Sequence, residues 1–286
     1  MRHKQDILTR LQYIDDLPTL PAVIERLNSE VSDPQADAGS VARIIEDDPA
    51  ISARLLKVVN SAFYFGHTPV SSLPYAVIRL GFRAVCNIAM STAVFSTFPP
   101  GQGRCFSREE LWKHCIDTGI TAEVLAEAVG GRVRSYGRHV LHLAGILHDI
   151  GTILLEQYFH REFRQAVDMS TRRGIPMRNA EREVLGADHA EAGYWLVQRW
   201  HLPEDMLQAI RWHHEPEHAM AEHRDLVVLI HWADHLTNEA PEVDSREEER
   251  IRILDVDIGT RSTVREQVAR ALQSSDVYSA LMLESA

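Results

Sequence analysis

His148 and Asp149 stand side by side in an apolar stretch that includes Leu141, Ala144 and Gly145. A charged or polar group in such a setting needs a hydrogen-bond partner, an opposite charge or a metal ion. Taken singly, either residue is satisfied by hydrogen bonding, but other residues extend the pattern. Glu110 and His114 are four apart, on one face of an upstream helix. His189 and the pair His213-His214 fall near helices downstream. Asp234 follows Ile230 and Val227 on an apolar stripe where an unpaired carboxylate is costly. Nitrogen and oxygen donors without thiolate suit iron, manganese, nickel or zinc. Imidazoles from several helices with a bridging aspartate could build a dinuclear centre of divalent or trivalent ions, the chemistry that acidifies water and positions it for phosphodiester attack. The competing reading is ordinary polar packing. The chain has 15 histidines spread along its length, and His213-His214 also suits a helix C-terminus, where imidazolium meets the negative end of the dipole.

The elements that must position these groups are helical, since no long alternating stretch suggests a sheet. Asp48 followed by Pro49 reads as an N-cap with proline at the first helical position, launching a helix over Ala50–Ala62. Ser72 caps the next segment, and Gly81 separates it from Phe82–Phe98. Pro99–Gly103 reads as a connection. Ser107 with Glu110 three residues later is a capping-box arrangement that starts the helix carrying Trp112 and His114. A break at Gly130–Gly137 precedes a helical segment over Val140–Phe159, with His148-Asp149 near its middle. After Arg173–Pro176 a long helical region runs from Glu181 to about Trp200. Further helices are expected over Glu204–His214 and Asp225–Asn238. The acidic stretch Glu239–Glu249 reads as an exposed connection. A C-terminal helix around Val264–Leu272 packs either on the main body or on a partner.

Composition narrows the class. The 286 residues can bury a substantial core. The longest apolar runs, such as Leu226–Ile230, are too short to cross a bilayer, and the first residues lack the apolar segment of a secretory signal. No membrane association is expected, and cytoplasmic residence is. Cys86, Cys105 and Cys115 have neither a disulfide framework nor a zinc-knuckle spacing. A net charge of −11 argues against general nucleic-acid binding. Arg132, Arg134 and Arg138 form one local basic patch.

The motifs together resemble the HDOD family of the HD superfamily. Leu17-Pro18-Thr19-Leu20-Pro21 is similar to its opening motif, and Asp48-Pro49-Ala50 through Leu55–Ala62 to its N-terminal signature. Leu111–His114, Ala144–Gly151, Asp188-His189-Ala190, Leu202-Pro203 and His213-His214 continue the match in order, over roughly residues 15–238. The resemblance implies an all-α, HD-type helical bundle with an N-terminal helical subdomain. The expected division is an N-terminal part over residues 1–100, an HD-like part with the metal centre over 101–240, and a helical extension over 241–286. It also implies a regulatory module of signal transduction, partnered by a signalling protein or a small phosphate-containing ligand, with self-association an open alternative. Matched to the HD-GYP phosphodiesterases, His114, His148, Asp149 and Asp234 would form the basic HD set. His189, His213 and His214 would complete a second metal site, with Asp149 bridging and Glu110 as an added carboxylate. Two departures weigh against hydrolysis of cyclic dinucleotides: Thr152 stands where those enzymes usually have lysine, and a Gly-Tyr-Pro loop is missing after His213-His214-Glu215. Metal-dependent phosphohydrolysis is therefore the alternative to the regulatory reading.

Overall fold

The computed structural model describes residues 7–14, 22–31, 37–60, 69–98, 106–130, 133–238, 250, 254 and 265–272. Every regular element among them is helical, as the periodicity predicts. The Leu17–Pro21 motif, the Pro99–Gly103 connection, Cys105, Arg132 and the Glu239–Glu249 stretch lie outside the described residues, as do residues 61 and 62 of the first predicted helix.

The first helices are α1 (Ile7–Leu11), α2 (Ala22–Val31), α3 (Ala38–Glu46), α4 (Pro49–Val59), α5 (Leu73–Leu80) and α6 (Phe82–Thr97). Their ends follow local chemistry. Asp37 and Ser40 form a reciprocal capping box on α3, and Ser72 Oγ accepts the Tyr75 N–H at the start of α5. Gly81, with φ of 86°, turns the chain between α5 and α6. Helices α2 to α6 pack on one another, and α6 also packs on α8 of the following group. Arg10 of α1 reaches farther, pairing with Glu162 at 2.9 Å and lying 4.6 Å from the centre of the Phe159 ring.

The second group comprises α7 (Arg108–Val129), α8 (Gly137–Leu147), α9 (Ile150–Tyr158), α10 (His160–Arg173), α11 (Met177–Leu185), α12 (His189–Arg199), α13 (Glu204–Trp212) and α14 (Arg224–Thr237). Helix α14 is buried without interruption from Leu226 to Asp234, the signature of a central helix. It packs against α7, α8 and α13. Two glycine contacts bring backbones together. A Cβ on Gly145 of α8 would lie 2.4 Å from the Cα of Gly119 in α7, and one on Gly151 of α9 would lie 2.5 Å from the amide nitrogen of Gly193 in α12. Only glycine allows such approaches. No helix among the described residues is long and apolar enough to cross a membrane.

Two helices expected to be continuous are broken. The predicted helix over residues 140–159 is split by a turn at His148-Asp149, where Asp149 has φ of −103° and ψ of 14°. The predicted region from Glu181 to Trp200 is split at residues 186–188. There Gly186 adopts φ of 85°, and Asp188 caps α12 reciprocally with Glu191. Residues 265–272 are helical, and Val268 is buried in the chain's own core, which decides for packing on the main body.

Candidate metal centre

The breaks in the helices build the site. Neighbouring side chains on an uninterrupted helix do not face one another. The turn at 148–149 lets the His148 ring and the Asp149 carboxylate face the same space, with Nε2 and Oδ2 3.4 Å apart. His213 and His214 likewise follow the last residue of α13, with ring centroids 4.0 Å apart. His189 is the first residue of α12. His114 comes from the second turn of α7, and Asp234 from the last turn of α14.

These seven residues converge in two groups joined by Asp149. On one side, His114 Nε2 lies 3.2 Å from His148 Nε2, 3.1 Å from Asp234 Oδ1 and 3.9 Å from Asp149 Oδ2. His148 Nε2 lies 3.6 Å from the same Asp234 oxygen. On the other side, Asp149 Oδ1 is 3.3 Å from His189 Nε2 and 3.6 Å from His213 Nε2, while His189 and His214 bring their Nε2 atoms to 2.8 Å. Each oxygen of one carboxylate thus serves a different group. Ligand atoms of His114, His148 and Asp149 lie within 4.8 Å of one another, as do those of Asp149, His189, His213 and His214.

Glu110 stands apart from these two groups. It is exposed in the first turn of α7, one turn before His114, and its N–H is capped by Ser107 Oγ at 3.1 Å.

The outer nitrogens of four rings are tied back into the protein. His148 Nδ1 donates to Gly145 O at 2.6 Å and His213 Nδ1 to Ile210 O at 2.9 Å. His189 Nδ1 is held by Glu181 Oε2 at 2.6 Å, and His114 Nδ1 lies 3.4 Å from Thr237 Oγ1. At His148, His213 and His189 the outer partner can only accept, so Nδ1 carries a hydrogen and the neutral ring turns its Nε2 lone pair to the centre, the arrangement that orients histidine ligands. Glu181 and Thr237 were not singled out in the sequence. Glu181 is fully buried on α11 and also accepts the His189 N–H at 3.0 Å.

Electrostatics sort the groups. Burial works against a charge on His148, but the Asp149 and Asp234 carboxylates outweigh it and hold its pKa well above the usual imidazole value. At His189 burial is likewise outweighed, first by Glu181 and then by Asp149, and the pKa rises to about 10. Burial and then the charge on His148 push His213 down to about 3. His214 is lowered by burial, then by His213 and His189. Asp149 and Asp234 remain carboxylates: burial raises their pKa, but the surrounding histidines hold both well below the ordinary range. Without a metal, protons on His148 and His189 offset the carboxylates that face them, Asp149 and Asp234 at the first ring and Glu181 and Asp149 at the second. The raised His189 and lowered His214 fit one proton held between their facing Nε2 atoms.

A cation suits this donor set. Asp149 Oδ1 and His213 Nε2 are buried with no hydrogen-bond partner, and both belong to the group around His189. Buried polar atoms are seldom left in that state. The side chains of His114, Asp149 and Asp234 keep 17%, 18% and 11% of their surface exposed, so the centre is open to solvent on one side.

The helical bundle and its His/Asp cluster define a protein of the HD superfamily. The family model for the HDOD domain matches residues 17–216, and the chain belongs to that family. An uncharacterized protein of Treponema pallidum (strain Nichols) is 28% identical over 226 residues, which is 77% of this chain and 42% of the relative. The chain therefore spans less than half the length of that relative. A solved structure from Shewanella amazonensis SB2B, described as a candidate phosphohydrolase, is 25% identical with a TM-score of 0.76, covering 98% of this chain and 99% of the other. One from Marinobacter aquaeolei VT8, described as a candidate signal transduction protein, has the same identity and TM-score and covers 99% of this chain and 62% of the other.

Proposed function

We propose that this chain is a regulatory module of signal transduction whose His/Asp cluster is a metal centre with two ion positions sharing Asp149. The observation that carries the reading is the division of the Asp149 carboxylate, with Oδ2 toward His114 and His148 and Oδ1 toward His189 and His213. The tied-back Nδ1 atoms and the unpartnered Asp149 Oδ1 and His213 Nε2 support it. Family membership and the likeness to the Marinobacter protein support the signalling role. The signal passes to a separate signalling protein, with metal occupancy setting the conformation that the partner reads.

A second reading, metal-dependent phosphohydrolysis, is favoured by the solvent-open side of the centre and by the full-length likeness to the Shewanella protein. A metal ion bound there supplies Lewis acidity and makes water a better nucleophile. The protein's own part is to hold the imidazoles with Nε2 inward and to keep Asp149 and Asp234 ionised. The likeness to HD-GYP phosphodiesterases extends to these ligands but not to the lysine position at Thr152 or the Gly-Tyr-Pro loop.

Elemental analysis combined with a phosphoester panel separates the two readings. The regulatory reading expects up to two metal ions per chain, loss of both in Asp149→Ala, loss of one each in His114→Ala and His214→Ala, and no turnover by the loaded protein. Metal-dependent turnover abolished by Asp149→Ala would replace regulation with hydrolysis. Failure of wild-type protein to bind any ion would remove the metal centre altogether.

A further inference from the structure

His213 is fully buried, and its main chain is held by a residue outside the centre. His231 lies on α14, 7% exposed, and its Nδ1 is 2.5 Å from the carbonyl oxygen of His213. The carbonyl can only accept, so His231 Nδ1 carries the hydrogen and its Nε2 is left as an acceptor. That nitrogen faces Arg250 Nη1 at 3.4 Å. The other guanidinium nitrogen of Arg250 pairs with Glu217 at 3.0 Å, in the 3-10 turn Pro216–His218 that follows the two histidines. Arg250 therefore staples α14 to the turn after His213-His214 while fixing the hydrogen-bonding sense of His231.

We infer that Arg250 and His231 are positioning residues for His213, forming a relay through which the chain beyond α14 sets the affinity of the ion position built on His189, His213 and His214. The inference rests on the metal-centre reading above. Three features carry it. Donor and acceptor sense are consistent along the whole path, from guanidinium to imidazole to carbonyl. The path ends on the residue whose Nε2 is buried without a partner. And the half of the centre built on His114 is tied back by other groups, Thr237 and Gly145. Because coupling between two sites is reciprocal, any contact that draws Arg250 away weakens the ion, and the bound ion holds Arg250 in place.

Zinc titration of the whole 286-residue chain against a competing chelator tests this, with cobalt(II) absorption as a second readout. Removing the group that orients a ligand histidine costs metal affinity on the order of 10-fold to 100-fold. In Arg250→Gln, the equivalent that His213→Ala abolishes should weaken by about tenfold or more with an altered cobalt spectrum, while the equivalent that His114→Ala abolishes stays at wild-type affinity. His231→Gln should reproduce the loss. The unfolding midpoint of metal-free Arg250→Gln should fall only slightly, because the ion pair it loses is with Glu217, whose side chain is 47% exposed. Wild-type affinity for both equivalents in Arg250→Gln overturns the relay and leaves the metal centre standing. Equal weakening of both equivalents, or a fall in metal-free stability to match the lost affinity, also overturns it. Wild-type protein that binds neither zinc nor cobalt overturns the metal centre and the relay with it.

Discussion

Glu181 holds His189 twice through one oxygen: Oε2 takes the main-chain N–H at 3.0 Å and ring Nδ1 at 2.6 Å. A buried carboxylate behind an imidazole orients the ring and makes its other nitrogen a stronger donor to a metal. Glu181→Ala should therefore weaken zinc binding by about 10-fold to 100-fold, confined to the equivalent that needs His189. Chelator competition reads this directly, and undiminished affinity would show that Glu181 only fills space.

The glycine contacts predict a steric result. A Cβ on Gly151 would stand 1.9 Å from the His189 carbonyl oxygen, which is backbone and cannot swing aside. Overpacking of this kind costs about 1–3 kcal/mol or more, so Gly151→Ala should lower the urea midpoint and cut metal binding at His189 together. Gly174→Ala offers the contrast. Its φ of +62° is strained for a side chain, but nothing lies within 4 Å. That change should cost about 1–2 kcal/mol and leave metal binding intact.

Arg108 and Glu156 form an ion pair at 2.8 Å with side chains 2% and 1% exposed, joining the first turn of α7 to α9. Removing one partner of such a pair strands a buried charge, at a cost of about 3–5 kcal/mol, whereas replacing both with well-packed apolar residues is often neutral. Glu156→Leu alone should therefore be severely destabilising, and Arg108→Met with Glu156→Leu should recover most of the loss in equilibrium unfolding.

The histidines also give metal-free protein a distinctive pH profile. His189, raised to about 10, contributes stability that is complete below its unfolded value near 6.5 and is lost as pH rises through 10. His213, lowered to about 3, does the reverse: the unfolded chain takes up a proton below 6.5 that the folded chain refuses, so stability falls between 6.5 and 3. Chelator-treated protein should be most resistant to denaturant near pH 6.5 and weaker at pH 5 and pH 8.5. Resistance that climbs steadily from 6.5 to 8.5 in wild type but not in His189→Gln would contradict this assignment.

Local chemistry made much of the fold readable. Ser72, Gly81 and the apolar run of α14 act within a few residues of themselves, and the elements they predict are present. The breaks at His148-Asp149 and at residues 186–188 were less visible, because apolar spacing continues across both. Gly186 together with Asp188 and Glu191 was the available sign of the second break. The seven converging histidines and aspartates were legible because their types are costly in an apolar setting. Glu181, Thr237 and His231 were not: each acts on a residue brought near by the fold, and none sits in a motif of its own. Glu110 shares a helical face with His114, yet that face runs out into solvent at the first turn of α7.

Where side chains separate two helices, a small displacement is absorbed by changes of rotamer. No such cushion exists where Gly119 meets Gly145 or where Gly151 meets Gly193. His114, His148, Asp149 and His189 all lie within five residues of those contacts along the chain. A push on the outer surface of α7 or α12 therefore arrives at the ligands undamped, and tightening around an ion pulls on the same helices with no slack. Under the proposed function the bundle works as a rigid linkage, in which the spacing of the inner nitrogens and the shape of the outer surface are one mechanical coordinate.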